Sequence, residues 1–343
     1  MATHLLAALG AGLAAAALFI VPVRGTMAAM MLAMFAPLPV MIAGLAFSPS
    51  IALAAAFVGF VACALILHPL AAVIFVLWAA LPAWWLTRIA WLARPPQGDE
   101  QPGPDGFVWF PVGRLLLWIA GFGMGAAMLI VAIGIVRFGG FEAFMTETAK
   151  ALTAMFAELL KTQAASQAPR GMGAEDLANF FLRSVLPQLA AWSCLTLSVN
   201  LWLAGRVALA SQQLKRPWPD IAMELRLPQE LAFVFAAALV FTFFGGLPRM
   251  LAVIVVSGAG MAFALQGFAV LHAVTRGTRH RTLNLTLIYV MNVILLPGPL
   301  ILAAILGLAD SFYDIRRRFG PSPSPPARQG GWPPPPANSN ARD

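Results

Sequence analysis

Charge is what this sequence has least of. Its 343 residues include 22 Lys+Arg and 14 Asp+Glu, 10% in all, beside 60% hydrophobic residues. A soluble domain carries about 25% charged and about 45–50% apolar residues. So small a polar supply cannot wrap a chain of mean hydropathy +0.81 in a water-facing shell, which excludes a soluble globule. Cysteine is nearly absent: Cys63 and Cys194 each sit in an apolar run with no second Cys or His at ligand spacing. That excludes a disulfide framework and a zinc site and leaves both as small hydrophobes.

Signatures of catalysis are equally thin. There is no Gly-rich phosphate loop of the Walker type and no His-Glu-x-x-His helix, so the chain cannot energise transport by that chemistry itself. Val256-Ser257-Gly258-Ala259-Gly260 lacks the spacing of a Gly-x-Ser-x-Gly elbow. Asp310, in Gly307-Leu308-Ala309-Asp310, has no second Asp in any apolar run, and an aspartyl dyad needs two carboxylates sharing a proton. A non-enzymatic protein without a catalytic residue, metal or cofactor is expected.

What the sequence has in plenty is long apolar runs. A helix needs ~20 apolar residues to cross ~30 Å of hydrocarbon, and about nine such runs occur, at 5–23, 26–47, 50–67, 69–92, 112–136, 185–209, 230–247, 250–275 and 283–308. They lack the in/out alternation of barrel strands, so the fold class is all-α, a polytopic helical membrane protein of eight or nine spans. With no basic residues before its first apolar run, the N-terminus is expected to be a retained span rather than a cleaved signal. Residues 1–320 form one helical membrane domain. The Pro- and Ser-rich segment 321–343 has too little apolar content to fold.

The net charge of +8 sits at the ends of these runs, as membrane topology requires, and not in a nucleic-acid stripe. Ten basic residues follow runs four, six and eight: Arg88, Arg94, Arg114; Arg206, Lys215, Arg216, Arg226; Arg276, Arg279 and Arg281. Only Arg24 and Arg249 occupy the opposite short loops, which favours a cytoplasmic N-terminus, although segment 137–183 adds five basic residues to the outer side. Nine crossings would then leave Arg316, Arg317 and Arg318 outside, against the rule. The last run is interrupted by Pro297-Gly298-Pro299, so it is either a kinked span or a re-entrant pair of half-helices. Within 137–183, Phe141, Phe144, Met145, Leu152, Met155 and Phe156 share one face and Glu142, Glu147, Lys150 and Glu158 the other. This is an interfacial helix or a lid over an outward-facing cavity.

Polar side chains inside the runs are the candidate site. Ser193, Thr196 and Asn200 form a stripe on the sixth run, and Gln266 follows the small residues Gly258 and Ala262 on the eighth. Tyr289 and Asn292 precede the Pro297 and Pro299 break, with a matching interruption at Pro37 and Pro39 in the second run. Broken helices expose backbone groups that protein, water or a solute must satisfy. Each of these residues has two readings, glue between helices or contact with a solute.

The ending Gly307-Leu308-Ala309-Asp310-Ser311-Phe312-Tyr313-Asp314-Ile315-Arg316 resembles the Gly-Leu-x-Asp-Ser-x-Phe-Asp-x-Arg ending of the YybS-like family of bacterial membrane proteins. Trp109-Phe110-Pro111-Val112-Gly113-Arg114, Asn200-Leu201-Trp202-Leu203-Ala204, Arg216-Pro217-Trp218-Pro219 and Gln266-Gly267 match in order, with Ala36-Pro37-Leu38-Pro39 near the start. No activity is established for that family. It is similar to the S-components of energy-coupling-factor transporters, which capture small solutes and rely on separate coupling subunits. The resemblance implies an inner-membrane solute-binding component in which Asn200, Gln266, Tyr289 and Asn292 line a cavity, with Trp109, Pro111, Arg206, Asp310 and Arg316 as motif residues of unassigned role. Small-residue faces at Ala8, Gly12 and Ala16, or at Gly121 and Gly125, would dock a partner helix. The rival reading is a membrane scaffold or biogenesis factor working through partner proteins. Asp310 and Arg316, six apart, are expected to lie too far round a helix to pair.

Overall fold

In the first part of the chain, proline and a capping side chain set where helices begin. The computed structural model describes residues 2–161 and 173–319; the 321–343 tail lies outside the described residues. Helix α1 spans Ala2–Ile20, and Thr26 caps α2 (Met27–Ala33) by accepting from the Ala29 amide. Pro37 opens α3 (Pro37–Ala46), Ser48 and Pro49 open α4 (Pro49–Ile66), and His68 and Pro69 open α5 (Pro69–Phe75). Ser48 Oγ accepts from Ile51 N at 3.3 Å and His68 Nδ1 from Leu70 N at 3.2 Å. A proline at the first helical position forfeits only an amide that had no partner anyway, while the preceding side chain satisfies another.

A wide π turn at Val76–Ala80 joins α5 to α6 (Leu81–Ala90). Strands β1 (Ala93–Arg94) and β2 (Val108–Trp109) pair antiparallel and close the following loop. Then come α7 (Val112–Phe138), α8 (Phe141–Lys161), α9 (Ala174–Ala210), the short α10 (Ile221–Glu224), α11 (Gln229–Phe241) and α12 (Gly246–Val274). The chain ends in α13 (Arg281–Ile294), α14 (Gly298–Tyr313) and α15 (Ile315–Phe319).

The chain is therefore an all-α polytopic membrane protein. Seven of its helical segments are long and apolar enough to cross a bilayer, and α11 and α14, at 13 and 16 residues, are shorter apolar helices. At 1.5 Å per residue, the 37-residue α9 is ~55 Å long and outreaches the hydrocarbon. The amphipathic α8 packs along it through Phe156 and Phe181, and Phe144 seats on Gly134 of α7.

The last apolar run is not one span. It divides into α13 and α14 at residues 295–297, and both ends of this segment return to one loop. Arg276, just before it, pairs with Asp220, and Asp314, just after it, pairs with Arg226. The segment thus leaves and rejoins the same end of the bundle. That removes the conflict over Arg316 to Arg318, which share an end with the basic loops. The N-terminus lies there too: His4 packs on Phe47 beside Gly44, whose carbonyl accepts from Trp91 Nε1.

Helices meet largely through small residues, with a few large ones such as Phe75, Leu86, Ile254 and Phe263 between them, and many large apolar side chains face outward. Ala15, Ala52, Ala55 and Ala79 are fully buried, while Phe57, Leu65, Val136 and Phe243 are exposed. Where lipid surrounds a bundle, apolar burial no longer drives association, and close backbone approach does. Gly12 of α1 faces the Ala55 carbonyl of α4, so the Ala8, Gly12 and Ala16 face packs within the monomer. Gly121 and Gly125 have nothing near them and stay open on α7. The tightest crossing joins α12 and α14, where a Cβ on Gly267 would strike the Ala303 carbonyl and one on Gly307 the Phe263 carbonyl.

Gly307→Val therefore forces these helices apart, at a cost of about 1–3 kcal/mol or more. The monodisperse peak in fluorescence-detected size-exclusion chromatography should shrink severalfold, whereas Gly10→Ala and Gly121→Ala, with open space around them, should match the wild type.

Candidate functional site

The residues between α9 and α11 make a strap across the basic end. Pro217, Pro219 and Pro228 prevent one continuous helix there, so backbone groups of 220–228 need partners from elsewhere. Gln266 supplies one. It is fully buried on α12, its Oε1 accepts from Leu227 N at 2.8 Å, and its Nε2 donates to Gly307 O at 2.9 Å and Ser311 Oγ at 3.1 Å. Asp310 Oδ2 lies 3.3 Å from the same nitrogen. With both ends of its amide engaged, Gln266 joins the strap to α14 and leaves no group free for a solute.

Arg316 supplies two more. Its Nη1 donates to Ala222 O at 2.8 Å and its Nη2 to Leu225 O at 2.6 Å, while its Nε stands 3.1 Å from Asp310 Oδ2 in an ionic contact outside hydrogen-bonding geometry. Both charged side chains are wholly buried. The expectation that Asp310 and Arg316 are too far round a helix to pair is thus corrected. Helix α14 stops at Asp314, which adopts the left-handed conformation (φ 50°, ψ 50°), a region Asp tolerates better than most residues. The reversal swings Arg316 back over Asp310. Desolvation pulls the Arg316 pKa below the usual guanidinium range, and the Asp310 carboxylate opposes that shift.

Three further contacts complete the clasp. Arg226 pairs with Asp314, Gln229 Nε2 donates to Ser311 O at 3.0 Å, and Gly113 at the start of α7 packs against the Arg226 carbonyl. Outside the buried part, Arg276 forks onto Asp220, with Nη1 2.6 Å from Oδ2, and holds the Asp220 carboxyl below its ordinary pKa. Sequence reasoning missed Asp220, Arg226 and Asp314. The Asp-Ile-Arg ending was visible, but its helix break was not.

The other candidate residues stand apart from this cluster. Asn200 of α9 is 1% exposed, and its Nδ2 donates to Met34 O at 2.9 Å and Thr196 O at 2.8 Å. Pro37 and Pro39 dictate the first bond: they break the second run into α2 and α3, the Leu38 amide turns to Phe35 O, and Met34 O is freed. A carbonyl at membrane depth must be satisfied, and Asn200 does it. Asn200 Oδ1 has no partner among the described residues. Tyr289 OH lies 2.8 Å from His272 Nε2, and its ring stacks on Phe268. Asn292 is half-buried on α13, its Oδ1 without a partner among the described residues. Pro297 and Pro299 flank the exposed start of α14.

The structure does not gather Asn200, Gln266, Tyr289 and Asn292 around one cavity. An open depression of about 380 Å³ is lined by Asn179, Phe180, Arg183 and Ser184, and a void of about 10 Å³ by Leu45, Ala90, Trp91, Trp109, Leu214, Lys215 and Arg216. Neither touches the four. The remaining motif residues belong to the basic end. Pro111 precedes the first turn of α7, Trp109 Nε1 donates to Asp105 Oδ2 at 2.8 Å, and the Arg206 guanidinium sits 5.5 Å from the Trp218 ring centroid.

Removing one member of a buried ion pair strands the other charge and costs about 3–5 kcal/mol. Arg316→Met and Asp310→Leu should each lower the melting temperature sharply, and the double variant should lose less than the two losses combined. The Asp220 and Arg276 pair is a pH test. Its folded carboxyl pKa is depressed, so its stabilisation is complete above the unfolded value of about 3.9 and disappears as pH falls through the lower folded value. Asp220→Asn should therefore cost about 1 kcal/mol or less at pH 7, since the pair is partly exposed, with the gap from wild type closing in acid and not between pH 8 and 5. Comparison with models of known protein families, with curated proteins and with solved structures returns no match.

Proposed function

We propose that the protein is a non-enzymatic scaffold or biogenesis factor of a bacterial cytoplasmic membrane, acting through partner proteins at its basic end. The observation that carries this reading is the use made of the candidate polar residues. Gln266 ties the strap to α14, Asn200 repairs a proline break, and Tyr289 meets His272. Side chains spent on the fold, in separate contacts, favour helix glue over capture of a solute by an S-component-like protein. The excess of basic residues on one set of loops assigns that end to the cytoplasm, and the YybS-like ending, Gly307 to Arg316, becomes a fold clasp on this reading. The open Gly121 and Gly125 face of α7 agrees with a partner helix.

The test is native mass spectrometry after gentle extraction, paired with thermal melts. A partner subunit should travel with the wild-type protein and be lost from a Gly121→Leu, Gly125→Leu variant whose melting temperature is unchanged. Gln266→Ala should lower folded yield severalfold and Asn292→Ala should not. A small molecule that co-purifies in stoichiometric amount, stabilises the wild type, and fails to stabilise Asn292→Ala would replace this reading with solute binding.

A further inference from the structure

Beside the exposed Arg114, Arg279, Arg281 and Arg318, and Arg88, whose Cζ lies 5.8 Å from the Trp84 ring centroid, the cations at the basic end form two sets. Arg94, Arg226, Arg276, Arg316 and Arg317 are paired with carboxylates. Arg206, Lys215 and Arg216 have no carboxylate in ion-pair contact among the described residues, and each is held over an indole instead. Lys215 Nζ lies 4.9 Å from the Trp91 ring centroid, Arg216 Cζ 6.0 Å from that of Trp109, and Arg206 Cζ 5.5 Å from that of Trp218. The carboxylate that acts most on Arg216 is Glu224, whose Oε1 already accepts from Asp220 N at 2.9 Å.

The difference matters chemically. A carboxylate cancels a cation and occupies its N–H donors, whereas an aromatic face fixes its position by ~0.5–1 kcal/mol and leaves both charge and donors available. The three pairs are neighbours. Leu45 at the end of α3 lines the small void with Trp91, Trp109, Lys215 and Arg216, and it also abuts Gly205, on which Trp218 packs. Leu45, Ala90 and Gly205 lie close to the ends of α3, α6 and α9, the level at which an apolar bundle meets headgroups and where indoles collect.

We propose that Arg206, Lys215 and Arg216 form a binding site for the phosphate of an anionic phospholipid headgroup at the basic end of the bundle. The two guanidinium forks and the ammonium supply the donors that a phosphate oxygen set accepts, and the three indoles keep them aimed at the membrane surface. The site uses none of the clasp residues and does not depend on the scaffold reading.

The experiment is titration of the full-length protein, in mild detergent, with phosphatidylglycerol or phosphatidylcholine, read by native mass spectrometry. Phosphatidylglycerol should be retained in preference. An Arg206→Gln, Lys215→Gln, Arg216→Gln variant should bind it about tenfold more weakly, equivalent to about 1.4 kcal/mol. Lys215→Gln alone should weaken binding by a smaller factor and Lys215→Arg should restore it, which keeps the test open if the triple variant folds poorly. An Arg279→Gln, Arg281→Gln, Arg318→Gln variant removes three exposed charges from the same end and should leave binding within about twofold. Equal loss in that control would mean diffuse charge and would overturn the site. So would equal retention of phosphatidylcholine, or displacement of phosphatidylglycerol by millimolar inorganic phosphate, which would make free phosphate the ligand.

Discussion

The basic end of the bundle depends on Arg316. A guanidinium buried with its Nη donors on Ala222 O and Leu225 O, and its charge against Asp310, satisfies an irregular strap that its own prolines prevent from becoming helix. Gln266 does the same work from α12. Neither side chain would suffice alone, because the strap presents an amide to one and carbonyls to the other. The left-handed Asp314 is the hinge of the arrangement: without that reversal α14 would carry Arg316 onward, leaving two strap carbonyls unmet and the buried Asp310 charge without its cation, which is costly in a low-dielectric setting.

The membrane part obeys a different rule. Alanine is the commonest buried side chain in the helix contacts, while much of the leucine, valine and phenylalanine points outward, as expected where the surrounding medium is as apolar as the core. Helix α13 follows the same logic on a small scale. Leu283, Leu287, Val290 and Ile294 face outward, and Leu285, Ile288 and Asn292 turn partly toward the protein. Proline breaks, in this medium, need a donor from a neighbouring helix, and Asn200 is placed to give one to Met34 O.

Much of this was legible in the sequence, and for physical reasons. Spanning runs of ~20 apolar residues leave few alternatives, so seven long helices and the short α11 fall where the runs do. Phe144 and Phe156 marked the apolar face of α8 by helical spacing alone. What could not be read was the fate of each polar group. Gln266 and Asn200 stand out as costly in hydrocarbon, but one sequence does not say whether a distant backbone group or a solute meets them; their partners lie 39 and 166 residues away. The pairing of Asp310 with Arg316 was misjudged because helical spacing was carried through Asp314, where the helix ends.

Sequence distance also bears on how the molecule comes together. The Ala222 carbonyl and the guanidinium that meets it are 94 residues apart. At roughly 5–20 residues per second of synthesis, the strap emerges on the order of ten seconds before its anchor exists. During that interval its carbonyls must be served by water at the membrane surface, although Gln266, 39 residues beyond the Leu227 amide, can meet that amide earlier. Assembly of this end is therefore a late event, sealed by the arrival of a single arginine after the helices that it joins are already in place.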